Sequence, residues 1–401
     1  MKIVFLFDSL GPYHIARLNE TAKLEDIVCI QAHNTSNEYR WDRNLKLDFP
    51  VVNLYSGSEN KTTTEQFISQ RIIHALNQIR PNLLFVPGWE SLQSVSAARW
   101  ACINRTPFVV MSASQQIDFP REFIKENWKK YFLGLSIGAL VGGARQLNYC
   151  IRLGMDKERI RTGYNTVDND HFSSVVAEPS VEGSPITFLV VARLIPKKNI
   201  QLLLHSFADL IKGNADIRAR LILKIAGEGP LLSNLEKTCA NLQLENNVKF
   251  LGHVSYFNLP KLYRDSSVLV LPSLSEQWGL VVNEAMSAGL PVIVSDACGC
   301  SDDLVRDGVN GFVFKSGNRE QLTYIMQRFI EAPYSARYAM GEHSKAIISF
   351  YSTARFQSAV SSFRELAMKD QRNYKLALAP YLLYFYPLLR SSYLRMQRSR
   401  I

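Results

Sequence analysis

Apolar runs of four to seven residues alternate with stretches of helical periodicity along most of the chain. Ile3 to Phe7 is the first run. A turn at Gly11-Pro12 follows, then a helical pattern from Ile15 onward. That order is how a strand–turn–helix unit of a parallel sheet begins. The pattern recurs: Ile27–Gln31 reads as a strand, Glu65–Ile79 as a helix stopped by Pro81, Leu83–Val86 as a strand, and Ser91–Ile103 as a helix. Phe108–Met111 and Ala139–Val141 are further strands. Trp128–Phe132 belongs to a helix, and the helix Ala144–Leu153 is closed by Gly154.

Residues 173–185 (SSVVAEPSVEGSP) break this rhythm with Ser, Pro, Glu and Gly, which places a linker there. The alternation then restarts. Strands are expected at Ile186–Ala192, Leu221–Ala226, Val248–Leu251, Val268–Leu271 and Val292–Val294. Helices are expected at Asn199–Leu210, Leu231–Leu242, Leu259–Arg264 and Leu280–Ala288, then over 318–331 and 336–368. Strands alternating with helices imply two open α/β sheets, each binding ligand at the carboxyl ends of its strands, with a cleft between them as the natural site.

The length of 401 residues agrees with two domains, since a single core rarely grows that large. The expected division is an N-terminal domain over 1–175, a C-terminal domain over 186–345, a helix over 346–368 that returns to the N-terminal domain, and a tail over 369–401. With 46 Lys and Arg against 36 Asp and Glu, the formal net charge of +10 suits an anionic partner. The six cysteines (Cys29, Cys102, Cys150, Cys239, Cys298, Cys300) form no C-x-x-C pair and no zinc spacing, so they are expected to be small buried residues of a reducing compartment. Asp8 interrupts the N-terminal apolar run, which reads as a buried strand rather than a signal peptide. No stretch reaches the roughly 18–20 apolar residues that span a bilayer. A cytoplasmic location is expected, with a peripheral position on the inner face of the membrane as an extension of it.

Candidate chemistry gathers in the second half. Arg193 and Lys198, in VARLIPKKN, fall just past the first strand of the second sheet, and Asn199 stands where it can cap the next helix. A planar fork and a point charge together suit a diphosphate. Downstream, SLSEQWGLVVNEAMSAGLPVIVSD places Glu276 in the loop after Val268–Leu271, and Gln277-Trp278-Gly279 leads into a helix carrying Glu284. Gly279 permits close backbone approach, and the helix N-terminus from Leu280 favours phosphate. Eight helical residues span on the order of 12 Å. The two carboxylates are thus too far apart for a pair acting on one glycosidic bond, which needs roughly 5–10 Å. They suit separate tasks along one long ligand.

The segment Val191–Phe314 resembles the donor domain of the retaining glycosyltransferases of family 4, of GT-B fold. The pieces that carry the resemblance are ARLIPKKN, IAGEGPLLSNLE, VKFLGHV, LVLPSLSEQWGLVVNEAMSAGLPVIVSD and DLVRDGVNGFVF. The spacing Glu276-x7-Glu284 matches the motif of that group. The resemblance implies that Arg193 and Lys198 bind the diphosphate, Glu276 the sugar and Glu284 the ribose, with Gly227, Glu228 and the backbone of Gln277 to Leu280 completing the donor site. It implies no metal and no cofactor beyond the nucleotide-sugar substrate. Gln277-Trp278 stands where the family often has Gly-Phe, which is expected to alter donor-sugar fit.

The N-terminal half matches less closely. Gly11-Pro12-Tyr13-His14 replaces the family's Gly-Gly turn. Gly11 and His14 are cleft candidates, and two roles are open to His14: contact with acceptor or phosphate, or a structural cap on its own helix. Ser114 and Asp118, in the loop that continues to Arg121, fall where the family places acceptor contacts, often with a His that is missing here. Asn165 and Asp168 are expected to shape a turn. The expected partners are a nucleotide-sugar donor, a glycan or lipid-linked acceptor and an anionic membrane surface, and not nucleic acid. A GT-B nucleotide-sugar epimerase and a non-catalytic GT-B subunit remain alternatives. The tail LALAPYLLYFYPLL, with Arg390, Arg395, Arg398 and Arg400 after it, is open to two placements: in a membrane interface or packed on the protein.

Overall fold

A computed structural model describes residues 1–33, 45–54, 65–118, 121–175, 184–213 and 215–369. The apolar tail and its arginines lie outside them, as does most of the expected linker. The strands are β1 (Lys2–Phe7), β2 (Asp26–Gln31), β3 (Val51–Asn53), β4 (Leu83–Pro87), β5 (Phe108–Ser112), β6 (Gly138–Val141), β7 (Ile160–Thr162), β8 (Ile186–Val191), β9 (Leu221–Ala226), β10 (Val248–Gly252), β11 (Val268–Leu271), β12 (Val292–Ser295) and β13 (Gly311–Phe314). They form two parallel sheets, in the orders β3-β2-β1-β4-β5-β6-β7 and β10-β9-β8-β11-β12-β13. The central strands are buried on both faces, as helices packed against both sides require, which is why they read as unbroken apolar runs.

The strand order reverses beside β1 in the first sheet and beside β8 in the second. Loops on either side of such a switch diverge and leave a crevice at the carboxyl ends. The segments Gly11–His14 and Arg193–Lys198 leave β1 and β8 at those two points.

The last helix, Thr353–Lys369, packs on the first sheet and not on the second. Its Phe356, Val360 and Phe363 share a core with Ile3, Phe5 and Phe85. Gly138 on β6 is required by this approach, because a Cβ there would lie 2.6 Å from the Phe363 ring and 2.2 Å from the Arg159 carbonyl oxygen. All six cysteines are free and buried.

Three local expectations are corrected. The segment 336–368 is not one helix: Tyr334–Ile348 ends in a 3-10 turn at Ser349–Tyr351, and Ser352 is extended before Thr353 begins the next helix. No Gly or Pro marks that break. Asn199 precedes the helix Ile200–Ile211, but its backbone is left-handed (φ 53°) and its side chain makes no capping bond. Strands β3, β7 and β13 escaped the periodicity because three or four residues are too few to show it.

Candidate active site

A cavity of about 850 Å³ lies where the carboxyl ends of the two sheets face each other. It brings together Arg193, Lys198, Gly227, Glu228, Glu276, Gln277, Trp278, Gly279, Leu280 and Glu284 from the second half, and His14 from the first. Gly11, Ser114 and Asp118 do not line it.

The floor is two loops packed flat on one another. Leu194 N–H donates to the Glu228 carbonyl at 2.9 Å, and Ala192 N–H to the Ala226 carbonyl at 3.0 Å. Gly227 has φ +139°, and a Cβ there would sit 1.9 Å from the Ala192 carbonyl oxygen. Gly229 stands as close to Leu194, with 2.4 Å between its virtual Cβ and that carbonyl oxygen. The Gly-Glu-Gly sequence is therefore the condition for placing Arg193.

Lys198 ends a short 3-10 turn, Pro196–Lys198. Its Nζ forms an ion pair with Glu276 Oε2, and each side chain is only 14% exposed. The pair holds a cation and a carboxylate side by side at the cavity wall. The Glu276 carbonyl accepts from Gly299 N–H at 2.9 Å and from Gln115 Nε2 at 2.9 Å, which ties this loop to the opposite half of the molecule.

Gly279 adopts φ +102°, a conformation that side-chain-bearing residues rarely take, and starts the helix Leu280–Ser287. Val282 N–H closes the first turn on the Gly279 carbonyl at 2.9 Å, while Leu280 and Val281, ahead of it, bring the positive end of the helix to the cavity. One turn on, Glu284 is buried and accepts from the Tyr263 hydroxyl at 2.6 Å. Burial pushes its carboxyl up to about 7, against the pull of that hydrogen bond. It is thus poised between acid and carboxylate near neutral pH.

Trp278 is buried, with its indole N–H donating to Asn283 Oδ1 at 2.8 Å and its ring edge against Gly142. Gln146 Nε2 donates to the Gln277 carbonyl at 2.7 Å. The Gln277-Trp278 pair therefore joins the loop after β11 to the first half as well as lining the cavity.

On the other wall, His14 takes the structural role that its sequence position left open, and it also faces the cavity. Its Nδ1 accepts from Gly11 N–H at 3.0 Å, which caps the helix Pro12–Ala22, and its ring also lines the cavity against Phe7 and Tyr13. Burial, and secondarily the charge of Arg17, push the imidazole well below its usual value, so it is neutral. Asp118 turns inward: its Oδ2 accepts from Gln115 N–H at 2.8 Å, and burial raises its carboxyl. Ser114 N–H donates to Ser112 Oγ at 3.2 Å. These two residues shape the loop whose Ala113 reaches the cavity. Asp168 caps the short helix Asn169–Ser173 through His171 N–H, while Asn165 lines the cavity. Among the described residues no three His, Cys, Asp or Glu side chains gather as a metal site, and no helix is long and apolar enough to cross a membrane.

Sequence patterns passed over Arg17, Tyr164, His253 and Tyr256, all on the cavity wall. The one available signal was the i, i+3 spacing of His14 and Arg17, which sets both on one helical face.

Residues 176–346 match the family described as glycosyl transferases group 1. Over 181 residues the chain is 30% identical to an uncharacterized glycosyltransferase of Methanocaldococcus jannaschii, covering 45% of each protein. It is 32% identical over 190 residues to a D-inositol 3-phosphate glycosyltransferase of Streptomyces griseus, covering 46% of this chain and 40% of that one. The matches thus span less than half the length of these curated relatives. The crystal structure of Anabaena HepE in complex with UDP-glucose aligns with a TM-score of 0.68 over 91% of this chain and 99% of that one, at 19% identity, which is a likeness of fold. Residues 176–346 thus carry the likeness to the group 1 glycosyl transferases, and the two facing parallel sheets have the GT-B fold.

Proposed function

We propose that the protein is a retaining glycosyltransferase that moves a sugar from a nucleotide-diphosphate donor to an acceptor, a lipid-linked or cell-surface polysaccharide or lipopolysaccharide intermediate. The observation that carries this is the convergence, in one cavity, of Arg193, the Lys198–Glu276 ion pair, the helix N-terminus behind Gly279 and the buried Glu284. Departure of a nucleotide diphosphate builds negative charge on its phosphates. Arg193, Lys198 and the N–H groups at Leu280 are preorganised donors for that charge. Glu276, held by Lys198, is assigned to the sugar hydroxyls, and Glu284 to the ribose. The acceptor hydroxyl attacks from the face the phosphate leaves, and the departing phosphate takes its proton. Meeting of the two halves across the cavity excludes water.

The acceptor class rests on the family resemblance and on the basic apolar tail, which together support a peripheral position at an anionic membrane. Flotation with anionic liposomes, with and without residues 374–401, tests that part: equal binding by both forms removes it.

The test of the activity is a panel of nucleotide sugars, scored by nucleotide release with and without candidate acceptors; UDP-sugars come first because the HepE structure holds UDP-glucose. Sugar transfer with release of the nucleotide diphosphate supports the assignment. Turnover of a nucleotide sugar with no transferred sugar points instead to an epimerase. Transfer unchanged in Glu276→Ala and Arg193→Ala contradicts the site.

A further inference from the structure

The wall of the cavity opposite Arg193 and Lys198 is built by Tyr13, His14, Arg17, Ala113, Tyr164 and Asn165, and it holds no acidic side chain. The facing wall holds Glu228, Glu276 and Glu284. Arg17 is the unusual member. It is 2% exposed, on the buried face of the helix Pro12–Ala22. Its guanidinium donates to the carbonyls of Tyr13 (2.9 Å, from Nε) and Tyr164 (from Nη1). The rings of Tyr13, Tyr164 and Phe356 lie around it, with centroids 5.5, 4.9 and 5.4 Å away. Among the described residues it pairs with no carboxylate, and its Nη2 makes no hydrogen bond. A buried cation without a counter-charge is costly and is usually paired. A second donor stands on the same wall: Asn165 is 6% exposed, and its Nδ2 is buried without a partner.

We infer that Arg17 and Asn165 form an oxyanion-binding wall, so that the acceptor carries a phosphate or carboxylate which docks against the first half of the molecule. This deepens the glycosyltransferase assignment and rests on it. The Nη2 of a guanidinium whose Nε and Nη1 are already held offers a charged donor to one oxygen of such a group, and Asn165 supplies a further N–H. The lack of acidic groups on this wall, against three on the facing one, sorts the charges. The donor diphosphate is held by Arg193 and Lys198 among carboxylates that grip its hydroxyls, while the acceptor anion meets only donors.

The test is calorimetric titration of inorganic phosphate, and in a second arm acetate, into the full chain saturated with UDP. Wild type binds one or both, and the arm that binds identifies the oxyanion. Arg17→Met weakens that binding at least about tenfold, while UDP affinity stays within about twofold. Because Arg17 also braces the helix, Asn165→Asp is the second variant. It keeps the side-chain shape and the backbone carbonyl that accepts from Asn283, yet sets a carboxylate on the wall, and it weakens binding to a similar degree. No binding in wild type, or binding unchanged in both variants, overturns the inference. Failure of UDP to bind wild type counts against the donor assignment alone; phosphate titration of the unliganded wild type and variants then decides the wall in the same way.

Discussion

The carboxylate of Asp303 caps the helix that begins at Ala144: the Ala144 N–H lies 2.9 Å from Oδ2 and 3.2 Å from Oδ1, across a separation of 159 residues. Gly143 makes room for it, since a Cβ there would stand 2.4 Å from Oδ2. Beside this cap, Arg145 grips Asp302 with both ends of its fork, at 2.7 and 2.5 Å. A helix of the first half thus has its positive end neutralised by the second half. Asp303→Ala removes the cap and should lower unfolding free energy by about 1 kcal/mol. Urea denaturation checks this; an unchanged midpoint means the cap contributes nothing in solution.

Arg193→Ala should slow nucleotide release on the best donor by roughly 10²- to 10³-fold, the usual loss on deleting one preorganised donor to a developing charge. Melting temperature should hardly change, because Arg193 sits on a cavity wall and not in a core. Steady-state assays on wild type and variant decide it. A loss confined to KM would move Arg193 from charge stabilisation to ground-state binding.

Glu284, as the residue proposed to hold the ribose, should make nucleotide binding depend on pH. Its carboxyl titrates at about 7 in the free protein, and gripping ribose hydroxyls favours the ionised form. Affinity for UDP should therefore weaken as pH falls below about 7, and Glu284→Gln should flatten that dependence. Stability moves the other way. The folded value lies above the ordinary 4.5, so the folded state holds the extra proton between about 4.5 and 7. Stability is lost as pH rises through that window, by up to about 3 kcal/mol. Melting curves of wild type and Glu284→Gln at pH 5 and pH 8 measure it; parallel changes in both proteins refute the assignment.

Gly227→Ala should be damaging at a position with no side chain to lose. Its φ of +139° and the 1.9 Å approach to the Ala192 carbonyl force the backbone to move. Strain of this kind costs on the order of 1–3 kcal/mol. The same shift displaces Arg193, so nucleotide affinity should fall together with melting temperature. Gly308, with φ +75° and open space around its virtual Cβ, is the control: alanine there should cost stability without touching nucleotide binding.

The sheets were legible because their central strands are buried on both faces, so Val4–Leu6 and Val268–Leu271 must be apolar throughout. That Arg193, Lys198, Glu276 and Glu284 share one wall was legible because their spacing is local: five residues separate the first two and eight the second two. The opposite wall was not. Arg17 looks like any solvated helix cation until Tyr164 and Phe356, far along the chain, fold over it. Asp118 looked available and is turned inward by Gln115. Asn199 has a capping side chain but a backbone in the wrong region to use it. In each case the deciding partner, or the deciding torsion, is invisible to spacing.

Phe356 and Phe363 lie against Phe5 and Phe85, so the first sheet is finished by residues near the end of the described chain. During synthesis the first half emerges early, yet one face of its sheet is covered only in part, by Leu18 and Phe49 among others, until more than 350 residues have been made. Domains usually fold in order of emergence. Here the second half must be complete before the first can close, which couples their assembly in time. A chain stopped at residue 346, where the family match ends, would carry every residue that lines the cavity and still leave that face incomplete.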